Sequence, residues 1–160
     1  MHEYDDNMSL ADNKGKPFGL SFALNKKRYD FYREQLSSLG LGLEDKLHVK
    51  MGSLSGGQRQ AVSLVMATLT PIDFLILDEH TAALDPKTAE IIMELTDKVV
   101  KQKKLTAVMV THNLRYAVEY GNRLLMMHQG HAILDQTGKE KEGTKVEDLL
   151  DKFNEISIEC

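Results

Sequence analysis

The sequence predicts an α/β layered fold with a parallel sheet, preceded by a helical lobe. Two features carry this. From residue 74 onward the hydrophobic pattern runs strand, helix, strand, helix, the order that builds parallel strands joined by helical crossovers. Between residues 25 and 69, apolar residues instead recur at helical spacing. The predicted division is a helical lobe over 1–70 and a layered part over 71–160, and 160 residues suffice to bury a core.

Residues 1–24 are polar, contain Gly and Pro, and show no clear period, so they are expected to be irregular. Over Asn25 to Leu39, Tyr29, Tyr32, Leu36 and Leu39 fall on one helical face, and Gly40 is the expected stop. Residues 40–53 read as a loop. A helix follows Ser55 to about Leu69, with Ala61, Leu64, Val65 and Leu69 on one face. It ends at Thr70-Pro71, because proline disfavours helical geometry at the residue before it.

Phe74–Leu77 is wholly apolar, as a strand covered on both faces of a parallel sheet should be. Asp85-Pro86 has the cap and first-turn residues of a new helix, whose stripe is Ile92, Leu95 and Val99. The lysines at 98, 101, 103 and 104 suit the negative end of its dipole. Leu105–Val110 reads as a second strand, and Asn113 caps a short helix closing at Gly121. Arg123–Met127 and Ala132–Leu134 form a hairpin around Gln129-Gly130. Thr144-x-x-Glu147 is a capping box ahead of a last helix carrying Val146, Leu149, Leu150 and Phe153.

A net charge of −4 gives no support for a general nucleic-acid or anionic-membrane surface. The single cysteine, Cys160, allows no internal disulfide and fits a reducing compartment. No apolar run approaches the ~20 residues that span a bilayer, and the acidic N-terminus lacks signal-peptide character. The expected location is cytoplasmic, with any membrane association made through a partner.

Two segments carry chemistry. Leu54-Ser55-Gly56-Gly57-Gln58 is a glycine-rich turn entering a helix. Ser-x-x-Gln is a capping-box pattern in its own right, and that reading needs no ligand. The same geometry also suits an anion, since backbone N–H groups and the positive dipole end lie at the helix start. A cap alone has no need of paired glycines, which cost about 1 kcal/mol each relative to alanine inside a helix.

The second segment, Phe74–Glu79, ends a buried strand in two carboxylates, Asp78 and Glu79. In open α/β sheets ligands gather at the carboxyl ends of strands, where a carboxylate can hold Mg²⁺. Adjacent residues face opposite ways, so one can hold the ion and the other polarise a water. The bland alternative is that both simply enter a solvated loop. His112 follows the second strand, and on its own it is more often structural than catalytic. Asp85 is explained by its capping role. His80 stands apart from the remaining histidines because it directly follows Glu79. No phosphate-binding G-x-x-x-x-G-K-[ST] occurs: Gly15-Lys16 is followed by Pro17, and Gly138-Lys139 by Glu140.

At these residues the chain resembles the C-terminal two-thirds of an ABC-transporter ATP-binding subunit. Leu54–Gln58 matches the LSGGQ signature, Phe74–Glu79 the Walker B strand, Ala83-Leu84-Asp85 the D-loop, and Val110-Thr111-His112 the switch histidine. Leu77–Pro86 is similar to the corresponding run in importers that use a separate substrate-binding protein, some of which are thought to handle aromatic amino acids. One departure is His80, where the family commonly has proline. Another is that the Walker A loop and Q-loop are not found.

The resemblance implies a partial P-loop NTPase (RecA-like) core lacking the Walker A strand, with a helical signature lobe. The missing strand would lie between the strand ending near His112 and that at 123–127, leaving a gap bordered by unpaired backbone groups. The implied cofactors are ATP and Mg²⁺. Asp78 would organise the metal shell, Glu79 the attacking water, and His112 the γ-phosphate. Ser55, Gly56, Gly57 and Gln58 would grip ATP held by the opposite member of a head-to-tail pair, with Asp85 at that interface. The implied partners are a second ATPase subunit and a membrane-spanning permease. The chain would then lie at the inner face of the cell membrane. These 160 residues alone are expected to be inactive or very weak.

A different reading is a non-catalytic module that supplies the signature motif to a Walker A-bearing partner. A DNA-maintenance ATPase is disfavoured by the lack of long heptads and of basic excess.

Overall fold

The computed structural model describes residues 8, 11, 12 and 26–158. They belong to two compact units, 1–109 and 110–160. The expectation of irregular structure over 1–24 falls mostly outside the described residues. Met8, Ala11 and Asp12 are helical, and Met8 is fully buried.

In the first unit, helix α1 (Lys26–Ser37) turns Tyr32 and Leu36 into the core and gives way to Gly40, whose φ of +68° suits a residue without Cβ. The loop over 40–53 is less superficial than its sequence implied. Leu43 and Leu47 are both 0% exposed, so it supplies core side chains between α1 and a short 3₁₀ turn at Met51–Ser53. Helix α2 (Gly56–Ala67) buries Ala61, Val62, Leu64 and Val65. It stops before the predicted Leu69, because Thr68 leaves helical geometry and its amide donates to the Val65 carbonyl at 3.0 Å in a tightened last turn.

Strand β1 (Phe74–Asp78), helix α3 (Pro86–Lys103) and strand β2 (Thr106–Val110) follow. β1 and β2 pair as a two-stranded sheet, and α3 is the helix that joins them. One expectation fails here: β1 is not covered on both faces. Leu75 and Leu77 are buried while Phe74 and Ile76 are 52% and 67% exposed. An apolar run reports what a strand can bury, and here only one face has a packed layer against it. α3 presents Ile92, Met93, Leu95, Thr96 and Val99 to the core and ends at Lys104, which has left-handed backbone.

The second unit holds helix α4 (Leu114–Glu119), strands β3 (Arg123–His128) and β4 (His131–Thr137), and helices α5 (Gly138–Gly143) and α6 (Val146–Ile158). Asn113 Oδ1 accepts from the amides of Arg115 and Tyr116, so the predicted cap of α4 forms. β3 and β4 are antiparallel, with Arg123 opposite Thr137 and an irregularity between Met126 and Met127. Gln129 and Gly130 both have positive φ, as a two-residue turn matched to strand twist demands. Arg123 grips Asp135 in bidentate fashion at 2.8 and 2.7 Å. Leu124, Met126 and Leu149 form the small core.

The predicted Thr144–Glu147 box is replaced. Thr144 Oγ1 donates towards Gln136 Oε1 or the Glu140 carbonyl, and Asp148 accepts the Lys145 amide at 2.8 Å instead. Leu150 and Phe153 are largely exposed, unlike Leu149. Among the described residues no helix is long and apolar enough to cross a membrane.

Candidate functional site

The signature turn is built first as a helix cap. Ser55 has extended backbone and its Oγ accepts the Gln58 amide at 3.2 Å, while Gln58 Oε1 accepts the Ser55 amide at 3.1 Å. Arg59 adds a 2.5 Å hydrogen bond to the Leu54 carbonyl. The two glycines differ. Gly57 is buried, and a Cβ placed there would run into Thr88 Cγ2 of α3. A Cβ at Gly56 would meet only the end of the Leu84 side chain, at 3.0 Å. Close packing of α2 on the start of α3 therefore explains Gly57 without a ligand, which the sequence argument did not foresee. Gly56, half-buried, keeps its backbone near solvent at the positive end of α2.

Asp78 is the last residue of β1 and Glu79 the first beyond it, and both are exposed. Glu79 has φ of +43°, so the chain bends out of the sheet at this carboxylate instead of continuing the strand's alternation. The Ala82 amide donates to the Glu79 carbonyl at 2.9 Å and closes a turn over 79–82. An open cavity of about 570 Å³ lies beside this bend. Its lining includes Gly56, Arg59 and Gln60 of α2 together with Asp78, Glu79 and Leu84. Ser55 and Gln58 are not among its lining residues, whereas their neighbours Gly56 and Arg59 are.

Asp85 caps α3, its Oδ1 accepting the Thr88 amide at 3.1 Å. Its hydrogen bonds with Thr88 hold the carboxyl below the usual aspartate value. His112 follows β2 by two residues, belongs to the second unit and is exposed.

The sequence reading gave His80 no role, yet it ties the bend to α3. Its Nε2 lies 3.2 Å from Thr96 Oγ1 on α3, and burial pushes its imidazole below the usual histidine value. The available signal was Thr96 itself, a polar residue inside the apolar stripe of Ile92, Leu95 and Val99.

No group of three or more potential metal ligands occurs among the described residues. That donor set does not suit an all-protein cage. It does suit Mg²⁺, which is commonly held by one or two carboxylates plus substrate phosphates and water.

A strand ending in exposed carboxylates lies beside a glycine-rich helix start in an α/β unit. The ABC transporter family model matches residues 2–82, half of the chain, and the chain belongs to that family. A tyrosine transport ATP-binding protein of Clostridioides difficile is 49% identical over 148 residues, covering 92% of this chain and 59% of the relative. The post-hydrolysis dimer of the ATP-binding cassette MJ0796 with ADP and Pi superposes with a TM-score of 0.67 at 28% identity, covering 86% of this chain and 57% of that one. An inward-facing ABC transporter described as of metal-chelate type shares the fold, with a TM-score of 0.74 over 96% of this chain at 22% identity, covering 59% of that chain. The chain thus spans under two thirds of the length of each.

Proposed function

We propose that the chain is the signature-side and hydrolytic part of an ATP-hydrolysing subunit that powers solute import by an ABC transporter. The observation that carries this is the exposed Asp78–Glu79 pair at the carboxyl end of β1, turned out of the sheet at Glu79. Its cargo is proposed to be an amino acid, because the 49%-identical relative is named for tyrosine transport. The functional division runs between a signature lobe, 1–70, and the C-terminal part of the ATPase core, 71–160.

In this reading Asp78 holds Mg²⁺, which when bound neutralises charge on the phosphate oxygens. Glu79 orients or deprotonates the attacking water, and His112 donates to the γ-phosphate. Ser55 and the backbone amides of Gly56 and Gly57, with Gln58, grip the γ-phosphate of ATP on the opposite subunit. Asp85 stands at that subunit interface. Hydrolysis rests on positioning and charge neutralisation and forms no covalent intermediate with the chain. The exposure of Ser55 outside the carboxylate cavity supports a role towards a neighbouring molecule. The subunit sits on the cytoplasmic face of the membrane through a permease.

The 160 residues contain no phosphate loop, so a complete site takes one from outside them. The purified chain is therefore expected to show no robust ATPase activity. Robust activity that disappears in Glu79→Gln refutes this. The second reading, a non-catalytic module acting in trans, is favoured by the same Ser55 exposure. It requires that adding the chain raise the ATPase rate of a Walker A-bearing partner, and that Ser55→Ala remove the increase.

A further inference from the structure

Glu79 occupies the left-handed region, which is uncommon for a residue with a Cβ and is found at turns and helix ends. Its own turn is closed by the Ala82 amide, with His80 and Thr81 at the centre. From that turn His80 reaches to α3. The direction of the bond is fixed by the next one: Thr96 gives its single hydroxyl hydrogen to the Ile92 carbonyl at 2.7 Å, so Thr96 Oγ1 accepts and His80 Nε2–H donates. Thr96 is 4% exposed within an 18-residue helix, so the anchor belongs to the packed core and not to the loop.

We propose that His80 is a positioning residue, whose Nε2–H bond to Thr96 clamps the turn over 79–82 and so fixes Glu79 at the bend beside Asp78. The common family residue here, proline, would stiffen the backbone through its ring but could not tie it to a neighbouring helix. In this chain the restraint comes from α3. The clamp's value for catalysis rests on the proposed role of Glu79, whereas its existence is tested without nucleotide.

The test uses the whole chain and amide hydrogen exchange at Ala82, whose bond to the Glu79 carbonyl reports opening of the turn. His80→Ala removes the donor, and Thr96→Val removes the acceptor at nearly constant volume. Either is expected to speed Ala82 exchange about five- to tenfold, the effect of one net hydrogen bond. The Glu79 amide–Hα coupling should move away from its left-handed value in both. His80→Gln and Thr96→Ser, which keep an N–H donor or a hydroxyl, should restore both readouts.

Mid-helix amides at Leu95 and Val99 should not change. Acceleration of these together with Ala82 would mean that Thr96 only stabilises α3, and would overturn the proposal. So would an unchanged Ala82 in the folded His80→Ala and Thr96→Val chains. In an ATP-hydrolysing assembly, Thr96→Val should lower kcat with KM for ATP unchanged, and Thr96→Ser should recover it. An assembly with no hydrolysis even in its parent form would count against the proposed function, while the exchange data alone would decide on His80.

Discussion

Gly57→Ala separates packing from ligand binding at the signature turn. A methyl at Gly57 gains about 1 kcal/mol in helix propensity over glycine. Against this stands Thr88 Cγ2, which the new Cβ would approach closer than non-bonded atoms allow, while the next neighbours, Thr88 Cβ at 3.8 Å and Ile92 Cγ1 at 4.0 Å, are ordinary contacts. Relief requires turning the stiff β-branched Thr88 or shifting α2 away from α3. Such overpacking costs about 1–3 kcal/mol, leaving a net loss of about 0–2 kcal/mol.

Because one methyl accounts for the clash, Thr88→Ser should relieve it, and the double variant should regain about 1 kcal/mol or more relative to additivity. Gly56→Ala, which meets only the mobile end of Leu84, is the internal control and should be neutral or stabilising. Urea unfolding followed by far-UV circular dichroism measures the parent and all four variants. A Gly57→Ala chain stabilised by the full propensity gain, or a double variant with no coupling, would refute the packing explanation.

Ser55→Ala removes the capping-box acceptor of α2 and should destabilise the first unit by about 1 kcal/mol in the same assay, whereas Ser55→Gly should cost only a few tenths. The carboxyls of Asp85 and Asp135 are both held below the usual aspartate value, through hydrogen bonds with Thr88 and Arg123 respectively. A folded value below the unfolded one gives stability that is complete above the unfolded pKa near ~3.9 and is lost as pH falls through the folded value. Thermal midpoints should therefore be flat from about pH 7 to 5 and decline below about pH 4. Asp85→Asn, which still caps but carries no charge, should lower the neutral-pH midpoint slightly and shrink that decline, because its contribution no longer depends on ionisation.

Much of the fold was legible because local chemistry and tertiary packing agree. Ser55–Gln58, Asp85-Pro86, Asn113 and Gln129-Gly130 each perform the local task their residue types imply. What escaped were properties set by neighbours distant in sequence. Leu43 and Leu47 lack periodicity because they are delivered to the core by a loop. Phe74 and Ile76 are apolar like Leu75 and Leu77, yet only a packed layer decides which face is covered. Helix α5 is six residues long, too short to show a helical period. At the site, Asp78 and Glu79 stood out by chemistry alone. The packing duty of Gly57 and the His80–Thr96 tether depend on α3 lying against them, which no spacing within either segment reveals.

The central claim is that Glu79 handles the hydrolytic water. The most direct measurement joins residues 1–160 behind a segment carrying a G-x-x-x-x-G-K-[ST] phosphate loop and follows ATP turnover with and without Glu79→Gln. The claim predicts turnover in the parent and a fall in kcat of about 10²–10⁴, the usual contribution of a general base, with ATP still bound. Equal turnover by the two forms would contradict it.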